Sequence, residues 1–297
     1  MWHELGMYEA YLLDVKKSSK NTVASYMRDL RKLNTYMDEH DVPSVQAVSA
    51  TNLNSYVLYL ERIGSASSSV SRSVAAIKSF YLYLLRQGIV RLDPTELLKP
   101  PKIDKRMPDT LTVDEVRRLL EQPSGKTPKE IRDKAMLELL YATGLRVSEL
   151  IALKVQDVNM SMRYIVCQDD NRGRILPFEE NAYQALKLYL DKARDTFCYE
   201  QEYFFTNCQG APLTRQGFWK ILKQYASQAG ISKAITPHMI RHSFAYHLVQ
   251  NGADLKSVQE LLGHADISTT QVYMKNSRNG IKEVYDKAHP MTQFHTI

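Results

Sequence analysis

Three segments of this 297-residue chain place chemically capable side chains where the backbone itself adds to the chemistry. In Thr236-Pro237-His238-Met239-Ile240-Arg241-His242, threonine can cap a helix and proline suits its first position. His238 and Arg241 then stand three apart on one face of the opening turn. Free amides and the helix dipole already favour a phosphate there. An imidazole and a guanidinium on that face make an anion clamp that also carries a proton. The four-residue step from His238 to His242 would suit zinc as well, but no acidic or cysteine ligand stands at a matching spacing, so no metal is expected. His242 and His247 are expected to be structural.

In Ala142-Thr143-Gly144-Leu145-Arg146-Val147-Ser148-Glu149, Arg146 comes just after a glycine placed to end a helix. From such a junction a guanidinium can project into a cleft and grip an anion through two parallel donors. The same residues also fit a surface arginine paired with Glu149, and this segment alone favours that plainer reading. The third segment is Leu261-Leu262-Gly263-His264-Ala265-Asp266-Ile267-Ser268-Thr269-Thr270-Gln271-Val272-Tyr273. Asp254 caps a helix carrying Leu255, Val258, Leu261 and Leu262, and Gly263 ends it. His264 thus sits at a helix end, and Ser268 can cap a further helix that bears Tyr273. A phenol can act as a nucleophile, but with 18 tyrosines in the chain residue type alone selects none of them.

The elements that must position these groups are mostly helical. Asn21 is expected to cap a helix with Val23, Tyr26, Leu30, Leu33 and Met37 at steps of three and four. Val70, Val74, Ile77, Phe80 and Leu84 repeat the period, and both stripes read as core of a helical bundle. Between Asp93 and Thr112 the pattern stops: Pro94, Pro100, Pro101 and Pro108 break helices and Lys99, Lys102, Lys105 and Arg106 crowd together, which describes a basic linker. Thr112 with Glu115, and Thr127 with Pro128 and Glu130, form capping boxes. The second opens a helix with Ile131, Ala135, Met136, Leu139 and Leu140 that ends at Gly144. Tyr164 to Cys167 and Arg174 to Phe178 flank a polar turn and read as a hairpin. The expected fold is mainly α with a small antiparallel β-sheet (α+β). Its expected domains are a helical one over residues 1–97, a linker over 98–110 and a mostly helical second domain over 111–297.

Bulk properties set the class. Hydrophobic content of 44% and charged content of 24% describe an ordinary globular protein. No apolar run approaches the roughly 18 residues that span a bilayer. The start Met1-Trp2-His3-Glu4 shows no secretory pattern. Cys167, Cys198 and Cys208 are odd in number and suggest no disulfide framework. A cytoplasmic protein without membrane attachment is therefore expected. The net charge of +6 suits a nucleic-acid partner without requiring one.

Taken in order, Arg146, His238-Met239-Ile240-Arg241, Leu262-Gly263-His264 and Tyr273 nine residues on resemble the signature of the tyrosine recombinase (phage integrase) family, most closely its bacterial Xer branch. Thr214-Arg215-Gln216-Gly217-Phe218-Trp219 and Gly252-Ala253-Asp254-Leu255 resemble that branch too, and the likeness runs over nearly the whole chain. The resemblance implies a core-binding SAM-like domain and a catalytic domain closing around duplex DNA, in a homo- or hetero-tetramer on paired sites. A paralogous recombinase or a septum DNA translocase is an implied partner. Tyr273 would attack the scissile phosphate and form a 3′-phosphotyrosine. Arg146 and Arg241 would hold the non-bridging oxygens. His238 would act as general base and His264 would add a hydrogen bond. Neither ATP nor another cofactor is implied, because the covalent bond conserves the energy needed for rejoining. Residues Glu283 to Ile297 would dock on a neighbouring subunit. Chromosome or plasmid dimer resolution, or DNA integration, is the implied role.

One departure stands out. The family carries a lysine in the hairpin turn, within Gly-Lys-Gly-Asn-Lys-Glu-Arg, that protonates the departing 5′-oxygen. Alignment on Asn171 and Arg174-Ile175-Leu176-Pro177 puts Asp169 there, and alignment on the preceding strand puts Asp170 there. Neither is a cationic acid, and the pKa of Arg172 is too high for a good proton donor. Slower cleavage, an acid supplied from elsewhere, or a DNA-binding paralogue with weak or no recombinase activity are the three expectations this leaves.

Overall fold

The computed structural model describes residues 2–102, 109–168, 173–197 and 202–263. The chain divides into two compact units, residues 1–106 and 107–297.

The first unit is built of helices. α1 (Glu4–Ala10) runs on into a π-helical turn at Tyr11–Val15, and α2 (Lys20–Glu39), α3 (Ala50–Arg62) and α4 (Ser67–Arg86) follow. The two expected stripes meet in its core, where Leu30, Leu33, Met37, Val70, Ile77, Phe80 and Leu84 are buried. A buried Asp29 on α2 accepts from Nε and Nη2 of Arg72 on α4 at 2.8 and 3.1 Å. Its cap differs from expectation. Ser19, not Asn21, caps the helix, its hydroxyl accepting from the Thr22 amide at 3.2 Å, so the helix starts before Asn21, which lies in its first turn. Both residue types cap well; the one outside the helix wins because its extended backbone aims the oxygen at the third amide.

In the second unit the helices are α5 (Val113–Glu121), α6 (Pro128–Thr143), α7 (Val147–Ala152), α8 (Glu180–Lys192), α9 (Arg194–Phe197), α10 (Arg215–Gln228), α11 (Pro237–Gln250) and α12 (Leu255–Leu262). Strands β1 (Val158–Asn159), β2 (Tyr164–Gln168) and β3 (Gly173–Pro177) stand between α7 and α8 in one antiparallel sheet of that order. In β2 and β3, Cys167 pairs with Arg174 and Ile165 with Leu176. The expected hairpin is present, and β1 joins it as a third strand too short to leave an alternating pattern. The fold is mainly α with this small sheet.

α6 is the axis of the unit. From Ile131 to Thr143 only Lys134 escapes burial, so the helix is core on all sides and not on one stripe. That burial encloses charge. Asp133 accepts from Arg132 Nε and Nη2 at 3.0 and 2.6 Å, from Lys129 Nζ at 3.1 Å and from the Tyr225 hydroxyl at 3.1 Å, and Arg132 also donates to the Thr206 carbonyl. Each buried charge is thereby paired, as its removal from water requires. Among the described residues no helix is long and apolar enough to cross a membrane.

Candidate active site

The site forms where two helices stop and a third begins. α6 ends at Gly144 in the left-handed region, φ +62°. A Cβ at that position would lie 2.4 Å from Phe244 Cδ1 and 3.1 Å from Leu262 Cδ2, so α11 and α12 close on the turn to a distance that only glycine allows. The chain leaves this turn with Arg146 as the cap residue of α7. α12 ends in the same way at Gly263, φ +61°. Both terminating glycines lie against this one region.

Arg146 and Glu149 do pair, Nη1 to Oε1 at 2.8 Å, and Glu149 Oε2 also accepts the Arg146 amide at 2.7 Å. The pair is not a surface one. Arg146 Nη2 donates to the Gly263 carbonyl at 3.0 Å. Arg241, one turn into α11 and buried, donates from Nη1 to the Gly144 carbonyl at 2.6 Å and from Nη2 to the Leu262 carbonyl. Its Nη1 stands 4.0 Å from Glu149 Oε2. The structure thus brings Arg146 and Arg241 together on the carboxyl end of α12, one residue before His264.

A third arginine joins them. Arg174 on β3 donates from Nη2 to Glu149 Oε2 at 2.7 Å. The sequence reading did not single it out. Alternation gave no warning of it: hydrophobicity favours Ile175 over Arg174 for the inner face, whereas β3 turns Arg174 inward beside the buried Leu176 and leaves Ile175 exposed.

The electrostatics follow from this crowding. Burial, the largest influence, pushes the Arg241 guanidinium down to about 9; Arg146 and Arg174 push it further the same way while Glu149 opposes them. An anion bound here relieves that strain, since it restores the favourable field that burial removed. Burial also works against an ionised Glu149, but the bonds from Arg174 and Arg146 win and hold its carboxyl below the usual carboxylate range. Cys167 beneath them is driven up to about 12, first by burial, and stays a neutral thiol.

His238 is placed differently. Thr236 caps α11 through the Met239 amide at 3.2 Å and Pro237 opens it, which leaves His238 exposed in the first turn while Arg241 is buried. His242 is held below its ordinary value, by burial first and then by the nearby charges of His238 and Arg241. His247 is buried, with Nδ1 2.9 Å from the Tyr141 hydroxyl. Among the described residues no cluster of three histidine, cysteine or acidic side chains converges as metal ligands would. His264 and Tyr273, the hairpin residues Asp169, Asp170 and Arg172, and Glu283 to Ile297 lie outside the described residues.

Comparison with known proteins matches residues 109–279 to the phage integrase family and residues 5–88 to the phage integrase N-terminal SAM-like domain. The tyrosine recombinase XerD of Halalkalibacterium halodurans is 45% identical over 276 residues, which cover 92% of this chain and 92% of that protein. The XerD of Oceanobacillus iheyensis is 46% identical over 277 residues, covering 92% and 93%. A crystal structure of the XerH site-specific recombinase bound to a palindromic difH substrate superposes with a TM-score of 0.74 at 20% identity, over 91% of this chain and 80% of that one. That last likeness is one of fold.

Proposed function

The chain belongs to the phage integrase family, and on that premise we propose that this site-specific recombinase breaks and rejoins duplex DNA through a 3′-phosphotyrosyl bond at Tyr273. One observation carries the reading at the level of the site. Arg146 and Arg241, which the signature assigns to the phosphate, converge on the carbonyls of Gly263 and Leu262, at the end of the helix that precedes His264 in the sequence.

The chemistry is a transesterification. The Tyr273 oxygen attacks phosphorus, its proton passes to His238, and the bond to the 5′-oxygen breaks as that oxygen takes up a proton. Arg146 and Arg241 offer fixed guanidinium donors to the non-bridging oxygens, where negative charge grows in the transition state. The second step reverses the first with a 5′-hydroxyl from the other duplex, so each phosphodiester bond broken is replaced by another of similar energy. Neither ATP nor a resident cofactor enters this scheme. His264 adds a hydrogen bond to the same phosphate.

The 1–97 domain, linked through 98–110 to the catalytic domain over 111–297, would grip the duplex, and paired sites would assemble four subunits, identical or shared with a paralogue. A cytoplasmic role in chromosome or plasmid dimer resolution, and so in chromosome partition and cell division, fits relatives that carry the XerD name. Activation by a septum DNA translocase belongs to the same reading.

A nicked suicide duplex carrying the recognised site tests this proposal. Attack at the phosphate near the nick releases a short 5′-ended fragment, which traps the covalent complex. We expect an adduct that disappears in Tyr273→Phe and forms faster in Asp169→Lys or Asp170→Lys. Specific binding without any adduct would instead identify a DNA-binding paralogue that has lost recombination.

A further inference from the structure

We propose that Arg174 is a positioning residue of the anion site: it holds Glu149 from the sheet side and, through Glu149, fixes Arg146 against the scissile phosphate. The inference rests on the recombinase reading above and adds to it a residue outside the arginine, histidine and tyrosine signature.

The geometry is one of shared partners. Glu149 turns Oε1 to Arg146 Nη1 and Oε2 to both the Arg146 amide and Arg174 Nη2. Arg174 also lies against Gly263: a Cβ there would be 2.6 Å from its Nη1, 3.1 Å from Cζ and 3.3 Å from Cδ. The guanidinium therefore occupies the space in which any other residue would carry a side chain. Gly263 is the residue whose carbonyl Arg146 holds. Arg146 and Arg174 thus approach the same carboxylate and the same glycine from two different elements.

Arg174 is suited to this task by where it stands. Its pairing with Cys167 fixes its backbone in the sheet, and its side chain is only 11% exposed. A donor on a paired strand keeps its aim better than one on a loop. Arg146 is at the start of the short helix α7 with a side chain 33% exposed, and needs such a support.

Charge points the same way. Among the described residues, the groups facing Glu149 are Arg146 from its own helix, Arg174 from β3, Arg241 from α11 at 4.0 Å and the neutral Cys167 from β2. Burial favours the protonated acid, and the bond from Arg174 is the first influence that opposes it. Without Arg174 the carboxyl drifts toward protonation, and a protonated Glu149 no longer holds Arg146 by charge. Arg174 is not the missing leaving-group acid, because a guanidinium gives up its proton too reluctantly.

Two readings of full-length Arg174→Gln and Arg174→Lys test the assignment. In a carboxyl-carbon NMR titration, with the Glu149 signal identified by its loss in Glu149→Gln, we expect the Glu149 midpoint to rise in Arg174→Gln and to rise less in Arg174→Lys. In single-turnover adduct formation on the nicked duplex, we expect Arg174→Gln to be slowed about 10-fold or more at neutral pH, as for a displaced positioning group. The slowing should grow as pH falls, and Arg174→Lys should recover part of the rate. The defect should persist on a substrate whose 5′-bridging oxygen is replaced by sulfur, a leaving group that needs no proton. An unmoved Glu149 midpoint, a loss of rate equal at every pH, or recovery on the sulfur substrate would each overturn the assignment. If Arg174→Gln does not fold, the same readings on Arg174→Lys decide, with smaller shifts expected. If the wild-type protein forms no adduct, the recombinase reading fails, and the NMR titration alone decides whether Arg174 holds Glu149.

Discussion

Arg146 and Gly263 are joined by one hydrogen bond, 3.0 Å from Nη2 to the carbonyl, across 117 residues of chain. The bond ties an arginine assigned to the phosphate to Gly263, the residue that precedes His264 in the sequence. Gly263 makes this possible twice over, by its left-handed backbone and by the room it leaves for Arg174.

Gly263→Ala is accordingly expected to impair both stability and chemistry. The left-handed conformation alone costs a non-glycine residue about 1–2 kcal/mol, and the new methyl would press on the Arg174 guanidinium. Thermal denaturation should show Tm lower by about 2–8 °C for a unit of this size. Adduct formation on the nicked duplex should slow as well. A variant with wild-type Tm and rate would show that the close approach at Gly263 carries no function.

Arg146 and Arg241 should respond differently to the same substitution. Arg241 is buried and spans two carbonyls, those of Gly144 and Leu262. Lysine has one point of charge and cannot serve both, and an unsatisfied buried acceptor costs about 1–3 kcal/mol. Arg241→Lys should therefore lose stability in urea as well as about 100-fold or more in cleavage rate. Arg146 is a third exposed, and water can replace its bonds. Arg146→Lys should lose a comparable factor in cleavage with little change in the urea midpoint. Equal stability losses in the two variants would contradict this division.

What could be read in the sequence was set by local rules. Gly144, Gly263, the Thr236-Pro237 pair and the two capping boxes act within a single turn of chain, and each stands where expected. Arg146 and Arg241 were legible because they flank such signals. Arg174 was not, since its importance lies in contacts with Glu149, 25 residues away, and with Gly263. The charges of α6 were hidden for a related reason. A stripe of Ile131, Ala135, Met136, Leu139 and Leu140 implies one buried face, whereas α6 is buried all round and encloses Arg132, Asp133 and Glu138. β1 was too short to show a period, and the choice between Ser19 and Asn21 as a cap depended on backbone angles that composition does not encode.

Glu179 gives stability a dependence on pH that no motif announces. It caps α8 by accepting the Asn181 and Ala182 amides at 2.5 and 3.1 Å, yet it is buried. Burial is the main cause that raises its carboxyl to about 7, against the pull of those two amides, and the charge of Glu138 adds to the rise. An acid whose pKa is higher folded than unfolded binds its proton more tightly in the native state. Its contribution is therefore most favourable below the unfolded value of about 4.3 and is lost as pH climbs to about 7, with no further loss above that. Glu179→Gln keeps an oxygen for the cap and removes the titration. Unfolding free energies measured from pH 5 to pH 8 should fall less steeply in Glu179→Gln than in the wild-type protein, the two curves diverging in favour of the variant toward pH 8. Parallel curves would mean that Glu179 is no more reluctant to ionise in the folded protein than in the unfolded chain.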